Sequence, residues 1–250
     1  MNKKLSVIII TLNEQRNIER CLKSVSDFAD EIIVVDSYSD DKTKEICKRF
    51  PVKFIQSEWQ GYSKTKNYAN SHAKYDYIFS IDADEEVSKE LIVSINEQKE
   101  KGLHGAYFMN RLNNYCGKWI KHGGWYPDRK LRIWNRKDAE WQGNIHEKQV
   151  FNNKTEMSLL HGDLFHYSFK TIVDHKNQMR KFATLHAEEM FRNGKKVNSF
   201  LVFIKVAWKF KRDYFFKLGF LDGKCGFIIC RINTYGTYLK YKILKELNKK

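Results

Sequence analysis

Residues 75–87 read Y-D-Y-I-F-S-I-D-A-D-E-E-V, an apolar run that ends in the carboxylates Asp82, Asp84, Glu85 and Glu86. A short apolar run bounded by polar residues predicts a buried strand. The acids after it have two readings. Acids gather where a helix begins, because the positive end of its dipole favours them, and S-K-E-L-I-V-S-I-N-E-Q (88–98) has the spacing of such a helix. The other reading is chemical. In an extended chain Asp82 and Asp84 project to the same side. Two hard oxygen donors held that way suit Mg2+ or Mn2+, with the ion's other positions left to diphosphate oxygens. Taken alone, the D-x-D pattern does not choose between them.

Upstream, L-S-V-I-I-I (5–10), E-I-I-V-V-D (31–36) and V-K-F-I-Q-S (52–57) predict three more strands. Between them, Asn13 opens a helix whose Ile18, Leu22 and Val25 share one face, D-K-T-K-E-I-C-K-R-F (41–50) predicts a second, and residues 62–72 a third. Strand and helix alternating through short links predict an α/β fold, a mostly parallel, Rossmann-like sheet with flanking helices. Ligands of such sheets sit at the carboxyl ends of the strands. Residues 11–14, 36–41 and 82–86 all fall there, so three distant polar stretches converge on one rim.

Downstream, residues 105–113, 130–136 and 157–165 predict strands that extend the sheet, and a helix runs from Thr171 to a stop at Gly194. The remainder is basic, aromatic and mostly helical. The division expected is 1–170 for the sheet domain and 171–250 for a helical, basic C-terminal region.

The composition of this 250-residue chain, 42% hydrophobic and 30% charged with 2 Pro, is that of a folded protein rather than a disordered tail. Five cysteines without a C-x-x-C pair argue against a disulfide framework and for a reducing cytosol. The N-terminus starts basic, but its apolar stretch ends at Asn13 and Glu14 without a cleavage site, which predicts a strand rather than a signal peptide. No uncharged stretch approaches the roughly 18 apolar residues of a membrane span, so the expectation is a protein in solution or on a surface.

Charge is unevenly distributed. Residues 195–250 hold 14 Lys and Arg against 3 acids, a net of +11 out of the chain's +15. Within them, F-L-V-F-I-K-V-A-W-K-F-K-R-D-Y-F-F-K-L-G-F (200–220) interleaves aromatics with cations. As a helix it would lay an apolar side into a bilayer while its cations meet an anionic membrane surface. Single-stranded nucleic acid is the rival ligand of such segments, but no nucleic-acid module is recognisable. Packing within the protein's own core, or against a second subunit, is the third reading.

The residues carry a resemblance. V-I-I-I-T-L-N-E (7–14), V-V-D-S-Y-S-D-D-K-T (34–43), Y-S-K-T-K-N-Y-A (62–69) and I-F-S-I-D-A-D-E-E (78–86) are similar in order and spacing to family 2 glycosyltransferases of the GT-A fold. W-Q-G-N-I-H-E (141–147) and F-L-D-G-K-C-G-F (220–227) resemble bacterial lipopolysaccharide inner-core β-1,4-glucosyltransferases more specifically. The similarity spans essentially the whole chain.

The resemblance implies that Thr11, Asn13 and Glu14 receive base and ribose, that Asp36 hydrogen-bonds the pyrimidine, that Lys66 approaches the nucleotide, that Asp82 lies near the ribose and that Asp84 ligates the metal. Glu147 resembles the catalytic acid's position and would act as the general base of an inverting transfer. Asp128, in W-Y-P-D-R, is the reserve. His146 would orient the base or contact phosphate. Trp119, Trp125, Tyr126 and Trp141 offer flat faces to an acceptor sugar, although such residues are more often core. Arg129, Lys130 and Arg132 suit a phosphorylated acceptor. The family usually has Gly where this chain has Tyr38, and a Gly there permits a positive φ that tyrosine resists. The Q-x-x-R-W signature of processive relatives is absent, which favours single-sugar addition.

The expected function is therefore an inverting, metal-dependent hexosyltransferase. It would move one sugar, glucose on the resemblance, from a UDP-sugar to a lipid-linked or lipopolysaccharide core acceptor at the inner face of the cytoplasmic membrane. The alternative is a non-catalytic basic protein that binds membrane or nucleic acid and keeps a degenerate nucleotide site.

Overall fold

In the computed structural model, which describes residues 3–143 and 147–249, the order begins β1 (Leu5–Thr11), α1 (Ile18–Val25), β2 (Glu31–Asp36), α2 (Thr43–Cys47), β3 (Lys53–Gln56), α3 (Tyr62–Ser71), β4 (Tyr77–Asp82), β5 (Glu85–Val87) and α4 (Lys89–Lys101). It continues with β6 (Ala106–Tyr115), β7 (Lys118–Ile120), β8 (Asp128–Asn135), β9 (Ala139–Gln142), β10 (Lys148–Phe151) and β11 (Met157–Phe169). Three helices close the chain, α5 (Ile172–Arg192), α6 (Ser199–Lys211) and α7 (Gly223–Leu247), the last two joined by a π-helical turn (Arg212–Phe216) and a 3-10 turn (Gly219–Asp222).

Nine strands form one sheet in the order β3-β2-β1-β4-β8-β6-β11-β5, with β7 beside β6, while β9 and β10 pair as a separate hairpin. β1, β2, β3 and β4 run parallel, and β8 returns antiparallel to β4. Every residue of β1 is buried because helices cover both faces of the sheet. Val7 and Ile9 belong to one apolar layer, with Ile18, Leu22 and Val25 of α1 and Leu91 and Ile95 of α4. Ile8 and Ile10 belong to the other, with Ala69 of α3 and Trp134. This is the two-residue alternation of a strand read against two cores.

The chain forms two compact units, Met1–Arg111 with Arg129–His166, and Leu112–Asp128 with Tyr167–Lys250. Residues 112–128, which the sequence division gives to the sheet domain, belong to the second unit. Tyr115 and Ile120 are buried there with Ile229 of α7, and Trp125 and Phe169 pack against them. In that unit a capping box at Thr171 and Asp174 starts α5, and Gly194 at φ 67° follows its end. Gly236 lets α7 approach α5, since a Cβ there would meet the Met179 methyl at 2.5 Å. All five cysteines are free, and no helix among the described residues is long and apolar enough to cross a membrane.

Two local expectations are corrected. The first helix starts at Ile18 behind Asn17, not at Asn13. Asn13 takes a φ of 58° and is bound across to the next loop: its N–H donates to Ser39 Oγ at 2.8 Å, and its Oδ1 accepts from the Asp40 N–H at 3.0 Å. The acids at 82–86 do not open a helix either. α4 begins at Lys89, capped by Ser88, whose hydroxyl accepts from the Leu91 N–H at 3.2 Å. Between lies a turn at residues 83–84 and then β5, which pairs with β11. The turn also ends the extended alternation that would set Asp82 and Asp84 side by side.

Candidate active site

The first unit brings the three polar stretches together as the strand order requires. Thr11 is the register partner of Asp36, and Ile10 that of Asp82. The loops after β1 and β2 are zipped: Glu14 N–H donates to Thr43 Oγ1 at 2.9 Å and Gln15 N–H to Asp41 Oδ2 at 3.0 Å. Asp36, fully buried, shapes its own loop by accepting the Ser39 N–H at 3.0 Å, the Ser39 hydroxyl, and Gln56 Nε2 at 3.3 Å. The Tyr38 backbone at the crest of this loop adopts φ 58°, so the left-handed turn forms without the glycine. The buried hydroxyls of Thr11 and Ser37, on adjacent strand ends, have no hydrogen-bond partner among the described residues.

At the end of β4, Asp82 lies between two cations. Arg132 Nη2 is 2.7 Å from Oδ2 and Lys66 Nζ is 3.1 Å from Oδ1. Burial raises the Asp82 pKa, but the charges of Arg132 and Lys66 outweigh it and hold the carboxyl well below the usual range. Arg132 also reaches Glu85 Oε1 at 2.5 Å, which Arg111 approaches at 3.3 Å. Burial works against the guanidinium's charge, and Asp82 and Glu85 reverse that and raise its pKa. This corrects the sequence reading of Arg132 as an acceptor contact: it is 3% exposed and engaged by both acids.

α3 joins this corner to the β9–β10 hairpin. Asn67 exchanges two hydrogen bonds with the Trp141 backbone, both 2.9 Å, and Ser63 Oγ donates to the Gly143 carbonyl at 2.5 Å. Clamped in this way, the hairpin puts Glu147 Oε1 at 3.7 Å from Lys66 Nζ. Lys66 is 2% exposed, and its ammonium also sits over the Trp141 ring at 4.5 Å from the centroid. Trp141, one of the suggested sugar platforms, is buried against Trp134 at 5.6 Å.

Asp84, on the turn after β4, has its Oδ2 3.2 Å from His166 Nε2. The pairing of β5 with β11 sets this up, because His166 is the register partner of Glu85. Two ligands in adjacent octahedral positions, with bonds of about 2.1 Å, stand about 3 Å apart. The 3.2 Å separation is that of an ion pair, and it is also close to this ligand spacing. Among the described residues no cluster of three or more His, Cys, Asp or Glu forms a complete metal cage, so substrate or water would supply the remaining ligands.

His166 was not read from the sequence, where it is one histidine in an alternating strand. The sequence also passed over an edge-to-face pair, Trp59 and Tyr62, 4.8 Å apart and both exposed. Burial first, then the negative field of Glu147, Asp82 and Asp84, raises the Tyr62 pKa, which marks its ring as a neighbour of this corner. Arg129 is exposed on β8. Trp125, Tyr126 and Asp128 belong to the second unit, where Trp125 packs on Tyr115, Phe169 and His175 with ring centroids 5.8, 6.0 and 5.8 Å away. His146 lies outside the described residues.

A mixed sheet with a parallel N-terminal half, helices on both faces and a rim of acids at the strand ends defines a GT-A-like fold. The description of glycosyl transferase family 2 matches residues 6–172, and the chain belongs to that family. An uncharacterized glycosyltransferase of Rickettsia typhi is 33% identical, over 99% of this chain and 89% of the relative. A lipopolysaccharide core biosynthesis glycosyltransferase of Rhizobium meliloti is 26% identical, over 90% of this chain and 85% of the relative. Among solved structures, Staphylococcus aureus TarS in complex with UDP superposes with a TM-score of 0.47 at 16% identity, over 98% of this chain and 90% of that one. The protein is thus a glycosyltransferase.

Proposed function

We propose that the enzyme moves a single glucose from UDP-glucose to a lipid-linked, lipopolysaccharide-core saccharide, with inversion at the anomeric carbon and with Mg2+ or Mn2+ bound at Asp84 and His166. The observation that carries this reading is the buried Lys66 ammonium, 3.1 Å from Asp82 and 3.7 Å from Glu147. One cation ties the acid of the hairpin to the acids of the strand-end rim, where a nucleotide sugar of this fold class is held.

In the transfer, an acceptor hydroxyl attacks the anomeric carbon from the face opposite the diphosphate. The new carbon–oxygen bond forms as the bond to the diphosphate breaks, the electron pair leaves on UDP, and the hydroxyl proton passes to the Glu147 carboxylate. Lys66 orients Glu147 and adds positive charge where the negative diphosphate arrives. On this reading the base lies over the ends of β1 and β2, beside Thr11, and Asp36 acts by holding the loop there. A divalent ion, when bound, offsets the charge that develops on the leaving diphosphate. The lipopolysaccharide-core part of the reading is supported by the name of the Rhizobium relative and by the residues at 141–147 and 220–227. On this reading the enzyme works at the cytoplasmic face of the membrane, in keeping with five free thiols.

The test is a panel of nucleotide sugars and truncated core saccharides, with products read by mass spectrometry and anomeric configuration by NMR. One hexose should pass from UDP-glucose with opposite configuration in the product. Glu147→Gln should lower kcat by about 10²- to 10⁴-fold, and Asp84→Asn should lose the response to added Mn2+. Wild-type kcat in Glu147→Gln would remove Glu147 as the base, and retention of configuration would overturn the mechanism.

A further inference from the structure

α6 wears its large apolar side chains on the outside. Its inward stripe holds Val202 and Val206, half-buried and lining a groove with Tyr238 and Tyr241 of α7. Its outward stripe holds Phe200, Ile204 and Trp208, at the spacing of one helical face, flanked by Phe203 at the rim of that groove, and Phe200 and Phe203 are 69% and 72% exposed. No residue of α6 is buried. The π-helical turn continues the stripe with Phe215 and Phe216, also exposed. A helix of a water-soluble unit is expected to put its largest apolar groups inward. A contiguous exposed apolar patch marks a surface that meets something else.

The turn that presents this patch is built. Asp213 is 2% exposed and ion-paired with Lys209 at 2.6 Å and with Arg212 at 2.8 Å. Tyr214 stacks on Phe210 and meets Phe227 of α7 edge-on. Asp213 is the only acid between residues 195 and 221, and it is buried. The charge the outer face shows is therefore that of Lys211 and Lys217, both exposed, while Lys205 turns to α7, its Nζ 3.5 Å from the Tyr241 hydroxyl. A second copy of the chain would bring these cations against themselves. A nucleic acid would gain nothing from the aliphatic Ile204, which has no ring face to stack on a base.

We infer that this surface docks the second unit on an anionic bilayer, with α6 lying along the interface, Phe200, Phe203, Trp208 and Phe216 among the acyl chains and Lys211 and Lys217 at the headgroups. The inference goes beyond the sugar-transfer site and does not depend on it, because vesicle binding and sugar transfer are measured separately.

The experiment uses the full-length protein with vesicles of phosphatidylcholine alone and of phosphatidylcholine mixed with phosphatidylglycerol. Co-sedimentation should require the anionic lipid and weaken with salt. Phe203→Ser combined with Trp208→Ser and Phe216→Ser should abolish it while the circular-dichroism spectrum stays unchanged. Lys211→Glu with Lys217→Glu should lower the affinity by about tenfold or more. Should the triple variant fail to fold, bromine-labelled acyl chains decide the matter on the unaltered chain: they should quench a fluorescence component that is missing in Trp208→Phe. Vesicle binding unchanged in a folded triple variant, or no quenching of Trp208, overturns the inference. So does a dimer in sedimentation that the triple variant disrupts while neither protein binds vesicles.

Discussion

At the scale of single residues, the corner around Lys66 is stable because no buried charge in it is left alone. An unpaired buried ammonium would cost several kcal/mol. Lys66 instead has Asp82, Glu147 and the Trp141 ring around it. Asp82 in turn stays ionised because Arg132 and Lys66 offset what its burial costs. Tyr38 sits less comfortably. It is exposed, with φ at 58°, where a side-chain-bearing residue is strained by about 1–2 kcal/mol. Glycine would relieve that strain but lose about 0.5–1 kcal/mol through its freer unfolded chain. Tyr38→Gly is therefore expected to stabilise the protein by about 0.5–1 kcal/mol in urea melts. Tyr38→Ala keeps the strain and should gain nothing. Equal stability of the two variants would show that the loop does not need the left-handed turn.

At the scale of elements, the close approach of β11 to α4 rests on Gly162. Its φ is 97°, and a Cβ there would lie 2.3 Å from the Leu91 backbone nitrogen. Gly162→Ala must push the strand off the helix that carries Leu91 and Ile95 into the core. The expected loss is about 2 kcal/mol or more, read as a lower urea midpoint, and an unshifted midpoint would contradict the packing described. β11 also carries His166 to Asp84. The parallel strands were legible because runs such as V-I-I-I and I-I-V-V can be nothing but buried, and with four strand ends fixed the shared rim followed. Which acids face which cations was not legible. Arg132 looked like a surface arginine because burial of a charge leaves no mark in local sequence. The Asp84–His166 pair depends on a three-residue strand, β5, too short for periodicity to reveal. Glu147 and Lys66 were singled out through the resemblance, and the α3–hairpin clamp is the geometry that brings them together.

At the scale of the whole molecule, the two units differ in what holds them. The first is a sheet between two apolar layers with a charged corner; the second is a helical assembly around Tyr115, Ile120 and Ile229 that also encloses a histidine. His175 is 1% exposed, bonded to the Tyr115 hydroxyl at 3.1 Å and to Asn233 Oδ1 at 3.2 Å. Burial pushes its pKa down from 6.5 to about 4, against the smaller upward pull of Asn233. As pH falls from 6.5 towards 4, the unfolded chain takes up a proton at His175 that the folded chain refuses, so stability falls with pH across that window. The full loss is about 3 kcal/mol, of which about 2 kcal/mol comes between pH 7 and pH 5. Asp82 acts in a different window. Its folded pKa is depressed, so its contribution is complete above its ordinary value of 3.8 and is lost only as pH falls below that. Urea melts at pH 7 and pH 5 separate the two groups. His175→Gln, which can keep both hydrogen bonds but takes up no proton, should start less stable and lose about 2 kcal/mol less than the unaltered protein over that interval. If the variant and the unaltered protein lose the same amount, the buried imidazole is not what makes the second unit sensitive to mild acid.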